Sequence, residues 1–202
     1  MKKLILLSII LIVGCESGAV STTLNEPTEY ICDDTNRENI ELWGVCYNIQ
    51  TTTEISFDGN NLEEEISGGI PSEIGNLTNL TSLVIRWNNL SGSIPSEIGN
   101  LTNLTALSLT SNKLNGTIPS EIGNLVNLTR LSLDSNELSG AIPNEITNLI
   151  NLKILNLTNN NFTGIVPNTV CELCNTINNM ESNEYYSCGI TYGNLSLENS
   201  CD

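Results

Sequence analysis

"LTNLTALSLTSNKLNGTIPSEIGN", residues 101–124, decides how this chain is read. Nearly the same 24 residues precede it as "LTNLTSLVIRWNNLSGSIPSEIGN" at 77–100, and follow it as "LVNLTRLSLDSNELSGAIPNEITN" at 125–148. A fourth copy, "LINLKILNLTNNNFTGIVPNTV", occupies 149–170. A fixed period of this length marks a stacked array, whose single unit is too small to bury its apolar side alone. In the first half of each copy, alternation puts Leu83 and Ile85 on one face and Val84 and Arg86 on the other. Stacked copies then pair their strands about 4.8 Å apart into a parallel sheet.

A degenerate first copy opens at Ile49, where "IQTTTEISFDGNNL" aligns Ile55, Phe57, Asn60 and Leu62 with Leu83, Ile85, Asn88 and Leu90. It carries four extra residues, because Leu62 to Ile70 spans eight positions and Leu90 to Ile94 spans four. The inserted region holds Glu63, Glu64 and Glu65. Asn60, Asn88, Asn112, Asn136 and Asn160 fall where the chain turns off the strand. An inward Asn there can satisfy the amides and carbonyls that the turn leaves unpaired. Pro95, Pro119 and Pro143 fix the returning backbone where no donor is needed, and Ile94 and Ile98 re-enter the core.

The pattern resembles the leucine-rich repeat, and within it the plant-type class LxxLxxLxLxxNxLSGxIPxxLGx. The resemblance covers residues 49–170. It implies a right-handed solenoid, mostly β and loop, with a concave parallel sheet of about five strands. "ELWGVCYN", residues 41–48, resembles the N-terminal cap of such proteins, with Trp43 and Cys46 in the cap's usual places. A stack has two open ends, and solenoids need caps there. The expected caps are residues 31–48 and 171–202. Thr35-Asn36-Arg37-Glu38 fits a capping box, which predicts a short helix over 36–42. The back cap is expected to be rich in loops.

Cys15 apart, six cysteines flank the array and none lies inside it: Cys32 and Cys46 before it, Cys171, Cys174, Cys188 and Cys201 after it. Separation by the repeat body makes Cys32–Cys46 the natural front pair. The other four can pair in three ways, and Cys171–Cys188 with Cys174–Cys201 is the arrangement we favour. The alternative is a zinc site at Cys171-Glu-Leu-Cys174, but no second such pair and no histidine accompany it.

Residues 1–14 read as an export signal: Lys2-Lys3, the apolar run "LILLSIILIV", then Gly14. The run is shorter than the roughly 20 residues a membrane span needs. "IVGC", residues 12–15, resembles the lipobox of bacterial lipoproteins, which implies a lipidated Cys15 as the mature N-terminus. A plain secretory signal with an incidental cysteine is the other reading. By the same resemblance, Glu16 in place of Asp points to the outer membrane or cell surface. Residues 15–30 are small, polar and unpatterned, and read as a tether.

The chain has 23 acidic and seven basic residues, a formal charge of -16, and no histidine. Nucleic acid is excluded as a partner, since a phosphate backbone rewards clustered Lys and Arg. No nucleophile elbow or phosphate-cradling loop is present, and no cofactor or metal is expected. Only carboxylates could do acid–base work, and Glu73, Glu97, Glu121 and Glu145 recur at one step of each repeat as a solvated edge. Asp58 with Glu63, Glu64 and Glu65 matches no known calcium loop. The chain therefore reads as no enzyme.

The outward strand positions form a grid of mostly small polar residues. Arg86, Trp87 and Arg130 project from it, with Asp58 and Asp134 beside them. Trp and Arg are enriched at binding hot spots, so these five residues are the ligand-binding candidates. The plainer alternative has Arg86 pairing with Asp58 while Trp87 covers the seam of the irregular first copy. The expected function is recognition of a protein or glycan outside the cell on the concave face, as the resemblance implies, by a protein held at the membrane through its lipid. A structural envelope component without a ligand and a secreted inhibitor of a foreign hydrolase are the rivals.

Overall fold

The computed structural model describes residues 32, 38–60, 66–163, 166–179 and 187–189. The amino-terminal cap is a hairpin of β1 (Asn39–Leu42) and β2 (Val45–Asn48), antiparallel with Leu42 opposite Val45. This replaces the expected helix over 36–42. Two residues, Trp43 and Gly44, connect the strands, with φ of 51° and 75°. Positive φ at both central positions matches the right-handed twist of a hairpin, and glycine makes the second position free of strain. The Glu38 carbonyl accepts from the Ile49 amide and so closes the hairpin instead of starting a helix. Thr35 to Arg37 of the proposed capping box lie outside the described residues. The expected Cys32–Cys46 disulfide is present.

Each repeat then contributes one strand to each of two parallel sheets. In chain order these are β3 (Glu54–Asp58), β4 (Ser67–Gly68), β5 (Ser82–Arg86), β6 (Asn89–Gly92), β7 (Ala106–Ser108), β8 (Lys113–Gly116), β9 (Arg130–Ser132), β10 (Glu137–Gly140), β11 (Ile154–Asn156) and β12 (Asn161–Phe162). Helix α1 (Asn168–Asn179) and strand β13 (Ser187–Gly189) follow. The concave sheet has the order β13-β11-β9-β7-β5-β3, so the five repeat strands gain a sixth from the back cap. The second sheet, β12-β10-β8-β6-β4, is built from the short segments that follow the repeated turn, such as Asn-Leu-Ser-Gly in β6 and Lys-Leu-Asn-Gly in β8, and was not anticipated.

After each strand pair the chain returns through a 3₁₀ turn: Ser72–Asn76, Ser96–Asn100, Ser120–Asn124 and Asn144–Asn148. Pro71, Pro95, Pro119 and Pro143 stand just ahead with φ between -66° and -70°, the value the ring imposes. The inward residues of both strands and of the turn meet in one core. Leu83, Ile85, Leu90, Ile98, Leu101 and Leu104 are fully buried, and their counterparts in the next two repeats are likewise buried.

Asn112, Asn136 and Asn160 form a buried ladder beside this core. Asn112 Oδ1 accepts from the Leu90 amide of the preceding repeat at 3.0 Å, and its Nδ2 donates to the carbonyls of Ile85 and Leu109 at 2.9 and 3.1 Å. Asn136 and Asn160 repeat the pattern. Asn88 accepts from Ile66 and donates to Arg86. Asn60 departs from the expectation: it is exposed, and its backbone amide donates to Asp58 Oδ1. The reason lies in the insertion. Ile66 occupies the place of Leu90, because its amide meets Asn88 as the Leu90 amide meets Asn112. The four extra residues therefore precede Ile66, instead of following Leu62 as the alignment had it. Residues 61–65, including Glu63, Glu64 and Glu65, lie outside the described residues.

The back cap also differs from the expected loops. It opens with α1, whose Val170, Cys171 and Ile177 are buried and whose Leu173 and Cys174 pack against the core. Positions 170, 173, 174 and 177 make the apolar stripe of a helix. Cys171 and Cys174 are each disulfide-bonded, so the CxxC pair is not a zinc site here. Of Cys188 only the backbone, in β13, is described, and Cys201 lies outside the described residues with the signal sequence, Cys15 and the tether, so the favoured pairing is not among the described contacts. No helix among the described residues is long and apolar enough to cross a membrane.

Candidate functional site on the concave sheet

Register places the outward residues in rows across the concave sheet. Glu54, Ser82, Ala106, Arg130 and Ile154 form one row, and Ser56, Val84, Ser108, Ser132 and Asn156 the next. Ser108 and Ser132 are buried, so the middle of the floor is closed by neighbouring strands rather than open as the grid suggested. Asp58 lies directly across from Arg86.

This pairing brings three of the five candidate residues together. Arg86 Nη2 and Asp58 Oδ2 are 3.4 Å apart, with the two side chains 40% and 25% exposed. The Arg86 Cζ also lies 5.0 Å from the centre of the Trp87 ring, a cation–π geometry. Arg86 Nε is buried and has no hydrogen-bond partner among the described residues. The guanidinium is thus held between a carboxylate and an aromatic face, with part of its donor capacity unused. A partly exposed pair of this kind contributes only about 0–1 kcal/mol to stability. The other two candidates stand apart. Asp134 accepts from Thr110 Oγ1 at 2.9 Å. Arg130 is exposed in the Glu54 row, in register with Ala106 and Ile154.

Trp87 sits one residue past β5, at a φ of 51°. The same step in later repeats holds Ser111, Ser135 and Asn159, also with positive φ. The solenoid demands a left-handed residue there, and a bulky side chain is the least suited to supply it. Trp87 is nevertheless present, and 42% exposed. Its neighbour at the first repeat is Gly59, whose amide donates to the Arg86 carbonyl at 2.9 Å. A Cβ on Gly59 would overlap the Trp87 carbonyl, so backbone approach keeps that place bare. The large ring therefore rises from a row whose other members are Gly, Ser, Ser and Asn.

Two exposed apolar residues went unnoticed in the sequence. Val126 and Ile150, 43% and 77% exposed, occupy one step of adjacent repeats on the outer side, where earlier copies have Thr78 and Thr102. The acidic edge is also present: Glu73, Glu121 and Glu145 are exposed and Glu97 is half-buried, and the first three glutamates in chain order, Glu73, Glu97 and Glu121, take a hydrogen bond from the preceding serine. A cavity lined by Cys32, Asn39, Ile40, Glu41 and Glu73 lies at the amino-terminal cap, off the concave floor. No group of metal-ligating side chains occurs among the described residues.

A family model described as a leucine-rich repeat region matches residues 61–195. The chain belongs to the leucine-rich repeat family. Solved plant proteins of this architecture are similar to it. A plant peptide hormone receptor, RGFR1 in complex with RGF2, is 44% identical over 58% of this chain and 18% of its own, with a TM-score of 0.54. The chain thus spans less than a fifth of that receptor. The BIR2 ectodomain from Arabidopsis thaliana is 30% identical over 67% of this chain and 68% of its own, with a TM-score of 0.52. A plant ice-binding protein is 38% identical over 58% of this chain and 36% of its own, with a TM-score of 0.52. No curated protein sequence matches the chain. Leucine-rich repeats that bind a hormone and repeats that bind ice share this fold, so the ligand must be argued from the floor residues.

Proposed function

We propose that this leucine-rich repeat protein is an exported, lipid-anchored recognition protein, without catalytic activity, that binds a protein or glycan ligand on its concave sheet. The observation that carries the reading is Trp87: a bulky ring in a left-handed backbone position, half out in solvent, on a floor of small residues. Strain retained at a solvent-facing position points toward function. Arg86 and Asp58 orient the ring, and Arg130 and Asp134 extend the surface. Peptide binding by the similar hormone receptor supports a protein ligand. Anchoring rests on the lipobox at Cys15, with residues 16–30 as spacer and the outer membrane or cell surface as the site.

The test compares the wild-type chain with Arg86→Ala/Trp87→Ala in pull-downs from the native surroundings, alongside thermal melts. The reading expects capture to disappear while the melting temperature stays within about 2 °C. Capture that survives while melting falls sharply would refute it. Labelling with a palmitate analogue tests the anchor, since Cys15→Ser should abolish the label. A second reading, a structural envelope component without a ligand, draws on the Arg86–Asp58 pair, which already gives Arg86 a partner within the fold.

A further inference from the structure

The concave floor offers a choice among ligand chemistries, and its residues narrow it. An acidic ligand meets a chain of net charge -16 and must compete with Asp58 for Arg86. Like-charge juxtaposition of that kind suppresses binding. A peptide anchored by its side chains wants pockets at the centre of its footprint. The middle of this floor is instead closed, with Ser108 and Ser132 buried between strands and small residues level with Trp87. What remains is a flat indole with a guanidinium over its ring, an adjoining carboxylate, and neutral hydroxyl and amide groups around them. Asp58 accepts, Arg86 donates, and Thr110, Ser111, Ser135 and Asn159 can do both.

We propose that Trp87, Arg86 and Asp58 form a subsite for a neutral saccharide, which stacks the C–H face of one sugar ring on the part of the indole that Arg86 leaves uncovered and places the hydroxyls at its rim against the Asp58–Arg86 pair. The proposal rests on the reading of the concave sheet as a recognition surface and names its ligand class. A sugar hydroxyl is both donor and acceptor, so it can meet the exposed edges of the carboxylate and the guanidinium together, without separating the ion pair or bringing in a charge; the buried Nε takes no part. The ring and the guanidinium already hold each other in place, which lowers the ordering cost of binding. Gly59 and Ser111, level with Trp87 on the adjoining repeats, are small and set no bulky side chain beside the ring. The residues beyond, Ser135 and Asn159, come once per repeat, so a longer neutral chain laid across the rungs meets a polar group about every 4.8 Å.

The experiment presents the full chain to immobilised neutral gluco-, manno- and galacto-oligosaccharides, to their uronic-acid counterparts, and to a random peptide library. Trp87→Ser, Trp87→Phe and Asp58→Asn are run beside the wild type. Serine is the residue of the sister repeats, so the first variant keeps the fold, and a thermal melt checks this. The expected result is retention on at least one neutral family. Trp87→Ser should weaken it roughly tenfold or more, Trp87→Phe should stay within about threefold, and Asp58→Asn should fall between. Neutral-sugar retention that Trp87→Ser leaves unchanged, or retention on uronic acids alone, overturns the proposal. Peptide capture lost in Trp87→Ser, without any saccharide binding, overturns the saccharide assignment and leaves the concave-face reading standing. No retention on any of the three overturns both.

Discussion

Trp43 and Trp87 share a backbone φ of 51°, and each stands next to an irregular part of the chain. There the likeness ends. Trp43 turns a hairpin beside Gly44, meets Phe57 edge-on at 6.2 Å, and donates its Nε1 hydrogen to the Gly69 carbonyl at 3.0 Å. Both ends of the indole are used, so the cost of the left-handed backbone is offset locally. Trp87 has the Arg86 guanidinium over its ring and solvent over much of the rest. The difference teaches that one strained conformation serves closure of the cap in one place and display in the other. The repeat strands draw the same division, since the residues that hold the fold alternate with those that meet the outside.

The sharpest way to break that separation is to attack the inward face beside the floor. Asn112→Ala removes the acceptor of the Leu90 amide and the donor to the Ile85 and Leu109 carbonyls, all buried. It should cost about 4 kcal/mol, because each orphaned buried group costs about 1–3 kcal/mol. Thr110→Ala, two residues earlier on the outward face, should cost less than about 1 kcal/mol. Urea denaturation of the two variants would show the gap, and equal costs would erase the distinction between faces.

Gly59→Ala comes next. Its Cβ would overlap the Trp87 carbonyl, so β3 or the Trp87 backbone must shift. The expected loss is about 3 kcal/mol, read as a lower urea midpoint at an unchanged slope. A neutral result would mean that the backbone beneath Trp87 is not held from the first repeat.

The smallest effect lies in the cap and depends on pH. Burial pushes the Tyr47 phenol well above its ordinary 10.0. The folded chain keeps this proton to higher pH than the unfolded chain does. The contribution is therefore complete below about pH 10 and falls away as pH rises beyond it. Melts between pH 8 and 11 should show a steeper alkaline decline for the wild type than for Tyr47→Phe. Parallel curves would mean that the phenol is free to ionise in the fold.

The rungs were legible because leucine and asparagine repeat without a gap from Leu77 to Asn148, and each position has one steric role. The second sheet was not. Its strands span two to four residues, four of the five include Gly, and it exists only because rungs stack. Leu62 and Ile66 are both apolar, so alignment alone could not place the insertion; the hydrogen bond from Ile66 to Asn88 does. The cap hairpin carried a signal in Trp43-Gly44, which the nearby capping box outweighed. In α1 the stripe of Val170, Leu173, Cys174 and Ile177 was readable, but its cysteines drew the reading toward crosslinks. At the floor, the Asp58–Arg86 pair followed from register, whereas the stacking of Arg86 on Trp87 and the left-handed Trp87 backbone needed coordinates.

The account turns on Trp87 being displayed and not structural, and paired thermal melts of Trp43→Ser and Trp87→Ser test this directly. Loss of the Trp43 contacts should cost about 3 kcal/mol and lower the melting temperature by roughly 6–12 °C. Serine at 87, the residue its sister repeats carry, should leave the melting temperature unchanged or raise it by about 2 °C as strain is relieved. A fall in Trp87→Ser as deep as that in Trp43→Ser would contradict the account, because the ring would then be part of what holds the solenoid together.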